Sequence, residues 1–300
     1  MTGGRLPLTV VGGYLGAGKT TLINALLADP AGERIAVLVN DFGDIDIDAR
    51  LMDSDDADVM SLTNGCICCS LADGFAEALD RIRDLAGRID RVVIEVSGVG
   101  DPRKVAQWGH VPGFTLDGVV VLVDAETVRE RSRDRYVGET VLAQLAGADL
   151  VVVTRADLLD DTVTSEVERW LADMVAAPVL RAPVPTAVLF GPDPIGDDTL
   201  AVPEDHASTS HISMSRRFDA PVSRGSIDVW ADARPGGVVR AKGIVRVDDR
   251  PDERTVLQVC GATTTVAVDG PWDGGESAVV AIALPGTSRA AIVKWLKLLR

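Results

Sequence analysis

The run Gly13-Tyr14-Leu15-Gly16-Ala17-Gly18-Lys19-Thr20 constrains this chain more than any other stretch. It fits G-x-x-x-x-G-K-[ST], in which glycines let backbone N–H groups turn inward around phosphate oxygens. The pattern carries weight only in the right setting. Here LTVV (residues 8–11) reads as a buried strand before it, and TTLINALLA (residues 20–28) has helical spacing after it. That is the strand–loop–helix context the motif requires. The helix N-terminus adds positive potential toward an anion. Gly13, Gly16, Ala17, Gly18 and Thr21 are therefore expected nucleotide contacts. Lys19 is expected to reach the β- and γ-phosphates, and Thr20 to ligate Mg²⁺. An incidental glycine-rich turn is the competing reading, and the coincidence of strand, loop and helix weighs against it.

Similar apolar runs recur along the chain and set the fold class. IAVLVN (35–40), RVVIEVS (91–97), GVVVLVDA (118–125) and LVVVT (150–154) are β-branched and nearly continuous; DVMSL (58–62) and PVLRA (178–182) are shorter candidates. Strands apolar on both faces belong in a parallel sheet covered on both sides. Phe75, Leu79, Ile82 and Leu85 form a helical stripe in residues 72–86, and helices are expected at 137–147 and 164–176. Residues 1–190 thus read as an α/β P-loop NTPase domain with a mostly parallel sheet. Residues 191–210 are rich in Pro, Asp and Gly and read as a linker. Residues 211–300 read as a small α+β domain with an antiparallel sheet. VVRAKGIVRV, TVLQV, TTTVAV and AVVAIAL supply its strands, and AAIVKWLKLLR a closing helix. SIDVWADA (226–233) is ambiguous between helix and strand. Two domains agree with the length of 300 residues at roughly 150 residues per domain.

Charge narrows the partners. Asp and Glu number 45 against 30 Lys and Arg, a formal net charge of −15. Such a surface argues against nucleic acid or anionic lipid as a partner. A phosphate ligand stays open, because the loop works through backbone amides and one lysine. The sequence has neither a signal-peptide pattern nor an 18-residue apolar stretch, so no membrane association and a cytoplasmic location are expected.

Other candidate site residues lie at strand ends. Glu95 closes RVVIE, where acidic groups face a nucleotide crevice; it would hold Mg²⁺ through water or orient an attacking water, unless it merely caps the next helix. Gly98 would donate its N–H to a γ-phosphate. Thr154-Arg155-Ala156-Asp157 follows LVVVT, where GTPases usually carry N-K-x-D. Asp157 would accept hydrogen bonds from guanine, or else cap the following helix. Arg155 keeps a stem and a cation able to stack on the base. Thr154 lacks the amide that ties the loop together.

The most distinctive local cluster is Cys66, Cys68 and Cys69 in NGCICCS. Three thiolates in C-x-C-C spacing lie within reach of one soft or borderline ion, leaving a fourth position for water, a carboxylate or a partner. Redox chemistry normally uses C-x-x-C instead. The fourth cysteine, Cys260, reads as a core-strand residue. His110, His206 and His211 show no metal-ligand spacing. Asp41, Asp44 and Asp46 follow the second strand, where a first switch lies in P-loop GTPases; any of them would contact Mg²⁺ or the cysteine-bound metal, unless this is simply a solvated acidic loop, and Asp41 is the candidate for a catalytic role.

Together these segments resemble the CobW-type family of metal-handling P-loop GTPases, over nearly the whole chain. GGYLGAGKTTLIN matches the family's phosphate loop. VNDFGDIDID resembles V-N-E-F-G-E-x-G-I-D, with Asp41 for Glu and Asp46 for Gly. NGCICCS matches C-x-C-C. IEVSGVGDP resembles E-[ST]-[ST]-G-x-x-D-P, with Val96 as a departure, and VVRAKGIVRV resembles the R-A-K-G segment of the family's C-terminal domain. The resemblance implies a GTPase that binds Zn²⁺ or Co²⁺ at the cysteines and delivers it to a client metalloprotein on GTP turnover. It also implies a helix for SIDVWADA. T-R-A-D in place of N-K-x-D leaves guanine against adenine open. A metal-sensing adaptor with little hydrolysis and an activator dedicated to one metalloenzyme are the competing functions. A homodimer is a candidate assembly.

Overall fold

A computed structural model describes residues 5–30, 32–40, 59–62, 72–85, 87–191, 211–272 and 274–300. They divide into two compact units, residues 5–186 and 187–300.

The first unit is built on seven strands: β1 (Leu6–Gly12), β2 (Ile35–Asn40), β3 (Val59–Leu62), β4 (Arg91–Glu95), β5 (Phe114–Asp124), β6 (Leu150–Thr154) and β7 (Val179–Arg181). Their order is β3-β2-β4-β1-β5-β6-β7, and every pairing is parallel. The connections carry helices α1 (Lys19–Ala28), α2 (Ala72–Asp84), α3 (Pro102–Ala106), α4 (Val128–Arg131), α5 (Gly138–Ala146) and α6 (Asp161–Met174). This is the expected mostly parallel α/β architecture. β-branched residues fill the strands because both sheet faces are covered. β4 and β5 are buried at every position.

Two boundaries differ from expectation for a physical reason. β5 begins at Phe114, not at Gly118, because the polar residues Thr115 and Asp117 that break the apolar run are themselves buried. Asp117 is accepted there because Arg91, on β4, donates to it at 2.7 Å. Helix α6 starts three residues before the expected 164, with Asp160 extended ahead of it. Among the described residues no helix is long and apolar enough to cross a membrane.

The second unit holds an antiparallel sheet of β8 (Ile212–Phe218), β9 (Val238–Val247), β10 (Arg250–Cys260), β11 (Thr263–Pro271) and β12 (Ser277–Ala283), in the order β11-β10-β9-β12-β8. Helix α7 (Thr186–Phe190) precedes it, followed in chain order by α8 (Arg224–Asp232) and α9 (Arg289–Leu296). The ambiguous SIDVWADA is thus helical from Ser226 to Asp232, within α8, with Ala233 as the C-cap. Ser223 caps it by accepting from the Ser226 N–H, and Ile227 and Trp230 share its buried face. Trp230 stacks on Trp295 of α9 at 4.7 Å, and the Trp295 indole donates to the Trp230 carbonyl at 2.6 Å. Cys260 is buried at the end of β10, as expected of a core-strand cysteine. From residue 192 on, the expected linker lies outside the described residues.

Candidate functional site

β1 runs between β4 and β5, so the loop after it opens at the C-terminal edge of the parallel sheet. Ligands of open α/β sheets bind beyond that edge. Register brings other candidates to the same edge: Val11 lies opposite Glu95, the last residue of β4, and Asp124 opposite Thr154, the last residue of β6.

The loop 13–18 depends on glycine at two points. A side chain on Gly13 (φ 135°) would run into the Leu122 backbone of β5. Gly18 takes φ 91° as the N-cap of α1. Among the described residues no side chain caps α1, which leaves its first N–H groups to an anion. Ala17 is buried and donates its N–H to Tyr14 at 3.0 Å, closing the loop. Gly16 and Thr21 are exposed. Lys19 is buried, with Nζ donating to the Gly13 carbonyl at 3.0 Å.

Beside the lysine, Thr20 Oγ1 donates to Glu95 Oε1 at 3.4 Å, across 75 residues of sequence. Glu95 is 3% exposed. The helix-capping alternative for Glu95 falls to Asp101 instead, which accepts from the Arg103 N–H at 2.9 Å ahead of α3. A hydroxyl and a carboxylate in contact are hard oxygen donors of the kind Mg²⁺ takes, so these two residues fit that ion. Gly98 belongs to a turn closed by the Gly100 N–H on the Ser97 carbonyl at 2.8 Å. A Cβ on Gly98 would come within 2.8 Å of the Leu15 backbone N, so this turn packs on the phosphate loop. Ser97 was not singled out from the sequence. Its Oγ is buried and has no partner among the described residues. The one available signal was its place directly before Gly98 in IEVSG.

On the far side of the loop, the amide missing from Thr154 is replaced by a hydroxyl tie. Thr154 Oγ1 lies 2.9 Å from the Ala17 carbonyl and 3.1 Å from that of Val123. Arg155 is the one non-glycine residue at positive φ (54°) among the described residues. Its guanidinium reaches Asp124 Oδ2 at 2.8 Å, while Asp124 Oδ1 accepts from the Glu126 N–H. Asp157 lies in a short 3₁₀ turn (Ala156–Leu158), exposed and without a hydrogen bond among the described residues. It does not cap α6, whose N-cap is Asp160.

Asp41, Asp44, Asp46, Cys66, Cys68 and Cys69 lie outside the described residues. Among the described residues no three His, Cys, Asp or Glu side chains are grouped to hold a metal.

Known proteins share this organisation. Residues 7–181 match the CobW/HypB/UreG nucleotide-binding domain, and residues 212–297 the cobalamin synthesis protein cobW C-terminal domain. The chain is 30% identical to the zinc chaperone CobW of a Sinorhizobium species, with 96% of each chain covered. It is 35% identical to the zinc chaperone YjiA of Escherichia coli over 60% of this chain and 57% of YjiA. To the zinc-regulated GTPase metalloprotein activator 1 of Schizosaccharomyces pombe it is 32% identical, over 55% of this chain and 43% of that one. With both domains matched and the resemblance running end to end, the chain belongs to the CobW family.

Proposed function

We propose that this chain is a GTP-hydrolysing metallochaperone that takes Zn²⁺ or Co²⁺ as cargo at Cys66, Cys68 and Cys69 and passes it to a client metalloprotein in the cytoplasm. The contact between Thr20 and Glu95, beside Lys19 at the mouth of the phosphate loop, carries the nucleotide half of this reading. The relatives named as zinc chaperones support the metal half.

Each residue has a definite task. The amides of residues 13–18 and the N-terminus of α1 take up phosphate charge. Lys19 neutralises oxygens of the β- and γ-phosphates. Thr20 and Glu95 would hold Mg²⁺, directly and through water. When bound, that ion neutralises charge on the phosphates. Glu95 and Asp41 are the carboxylates assigned to orienting the attacking water, and the Gly98 N–H donates to the γ-phosphate. Asp157 accepts from the guanine base, and Arg155 lies against its plane. Three thiolates leave one ligand position to be exchanged, which suits a cargo that must leave again. Loss of the γ-phosphate would release contacts on both switch segments and so change metal ligation.

Titration of the metal-free protein with Co²⁺, with and without GTP and Mg²⁺, tests the reading. The cobalt–thiolate absorption should report three sulfur ligands, should change on adding GTP, and should weaken in Cys68→Ser while nucleotide binding persists. Single-turnover GTP hydrolysis should respond to Zn²⁺ or Co²⁺. A hydrolysis rate and nucleotide affinity indifferent to both metals would overturn it.

A further inference from the structure

The turn carrying Gly98 is held from behind by one buried side chain. Gln144, on α5, is 2% exposed. Its amide nitrogen donates to the Gly98 carbonyl at 3.1 Å and to the Gly100 carbonyl at 2.8 Å. Two N–H bonds meet two carbonyls, one on each side of Val99. The orientation of the amide is fixed by its neighbours, since the reverse would set its oxygen against both carbonyls. On its other side the turn meets Leu15 of the phosphate loop, with no room for a side chain at Gly98. The same stretch of chain also holds that loop: Arg131, ending α4, donates to the Leu15 carbonyl at 2.6 Å and lies over the Tyr14 ring at 5.2 Å. The α4–α5 segment therefore holds both the turn 97–100 and the phosphate loop.

We propose that Gln144 is a positioning residue, which ties the turn 97–100 to α5 and thereby aims the Gly98 N–H at the γ-phosphate. This rests on the nucleotide reading above and deepens it. Gln144 touches no substrate, and its effect is specific to the γ-phosphate. The α- and β-phosphates are served by the phosphate loop, to which Gln144 makes no hydrogen bond among the described residues. A purely structural glutamine would, when lost, weaken all nucleotides together.

The test compares affinities for GDP and for a non-hydrolysable GTP analogue, in the presence of Mg²⁺. In Gln144→Leu, GDP affinity should stay within about two-fold while analogue affinity falls roughly five- to ten-fold, because the donors holding the turn are gone. Single-turnover hydrolysis should fall roughly 10- to 100-fold, as expected of a misplaced catalytic contact. Gln144→Glu guards against a Leu variant that fails to fold. Its ionised carboxylate would face two carbonyl oxygens, and its protonated form regains one donor. Burial and those dipoles push its pKa up. The analogue-to-GDP affinity ratio of the Glu variant, divided by that of the wild type at the same pH to remove the phosphate's own titration, should recover as pH falls from about 8 to about 6. A ratio unchanged from wild type in the variants overturns the assignment. Wild-type protein that fails to hydrolyse GTP would overturn the hydrolase reading and still leave this ratio to be measured.

Discussion

The Thr154 hydroxyl stands 2.9 Å from the Ala17 carbonyl, joining the end of β6 to the phosphate loop across 137 residues of sequence. A single hydroxyl proton serves both Ala17 and Val123, so this tie is weaker than two separate bonds. Thr154→Val preserves shape and removes the donor. One neutral hydrogen bond is worth about 1 kcal/mol, so nucleotide affinity should fall roughly five-fold. Thr154→Ser should bind like wild type. Calorimetric titration with GDP checks both, and a Val variant of undiminished affinity would show that the tie does not serve binding.

Asp157 offers the sharpest test of base selectivity. Being exposed and free of hydrogen bonds among the described residues, it can be removed at little cost to the fold, within about 0.5 kcal/mol. Hydrogen bonds to a charged acceptor are worth about 1.5–3 kcal/mol, or roughly 10- to 150-fold in affinity. Asp157→Ala should therefore lose GTP affinity by that range and leave ATP affinity where it was. Equal losses for both nucleotides would remove Asp157 from base recognition.

How far the sequence could be read depended on the range of each interaction. β1, β4, β5 and β6 were legible because residues buried on both faces leave unbroken β-branched runs, and the phosphate loop because its chemistry is contiguous. β8 escaped: in ISMSRRF the alternation begun by Ile212 and Met214 is broken at Arg216 before Phe218, which leaves too short a pattern to find on this edge strand. Gln144 escaped for another reason. A glutamine in an amphipathic helix looks like a solvated residue until the fold brings Gly98 and Gly100 to it. The hydroxyl tie of Thr154 was hidden in the same way, as its acceptor sits in a different loop. The cysteine cluster is the opposite case, plain in the sequence and outside the described residues.

Arg91 and Asp117 make the same point for stability. Arg91 is 0% exposed, at the end of β4 away from the phosphate loop, and donates to Asp117 Oδ2 at 2.7 Å and to Glu33 Oε2 at 2.5 Å. Burial works against its charge, yet Asp117 and Glu33 outweigh that and hold its pKa above the ordinary value. Thr9 donates to the same Asp117 oxygen at 3.0 Å. Asp117→Ala leaves the buried Arg91 with the partly exposed Glu33 as its remaining carboxylate, so it should cost about 3 kcal/mol, the low end for a broken buried pair. Adding Arg91→Met to that variant should restore part of the loss, since a buried charge with only half its compensation goes too. Denaturant unfolding of both single variants and the double variant checks this. Additive losses would mean that the pair is not coupled.

The pair Arg34–Asp90 predicts a pH dependence. Arg34 donates from Nε at 2.9 Å and from Nη2 at 2.8 Å to the two carboxylate oxygens of Asp90, and its backbone N–H adds a third bond at 2.9 Å. The side-chain bonds to Arg34 hold the Asp90 carboxyl below its ordinary value, against a smaller opposing effect of burial. A carboxyl depressed in the folded state binds its proton later than in the unfolded chain. Its contribution is therefore complete above the unfolded pKa of about 3.9 and is lost as pH falls through the lower folded value. Both side chains are substantially exposed, so solvent and salt keep the effect small. Asp90→Asn should unfold at lower denaturant than wild type at neutral pH and low salt. The gap should narrow in high salt, and it should begin to close as pH drops below about 4 and be gone once pH passes below the lower folded value, where native Asp90 takes up its proton. A gap that persists undiminished in acid would assign the loss to the changed side chain itself and not to its charge.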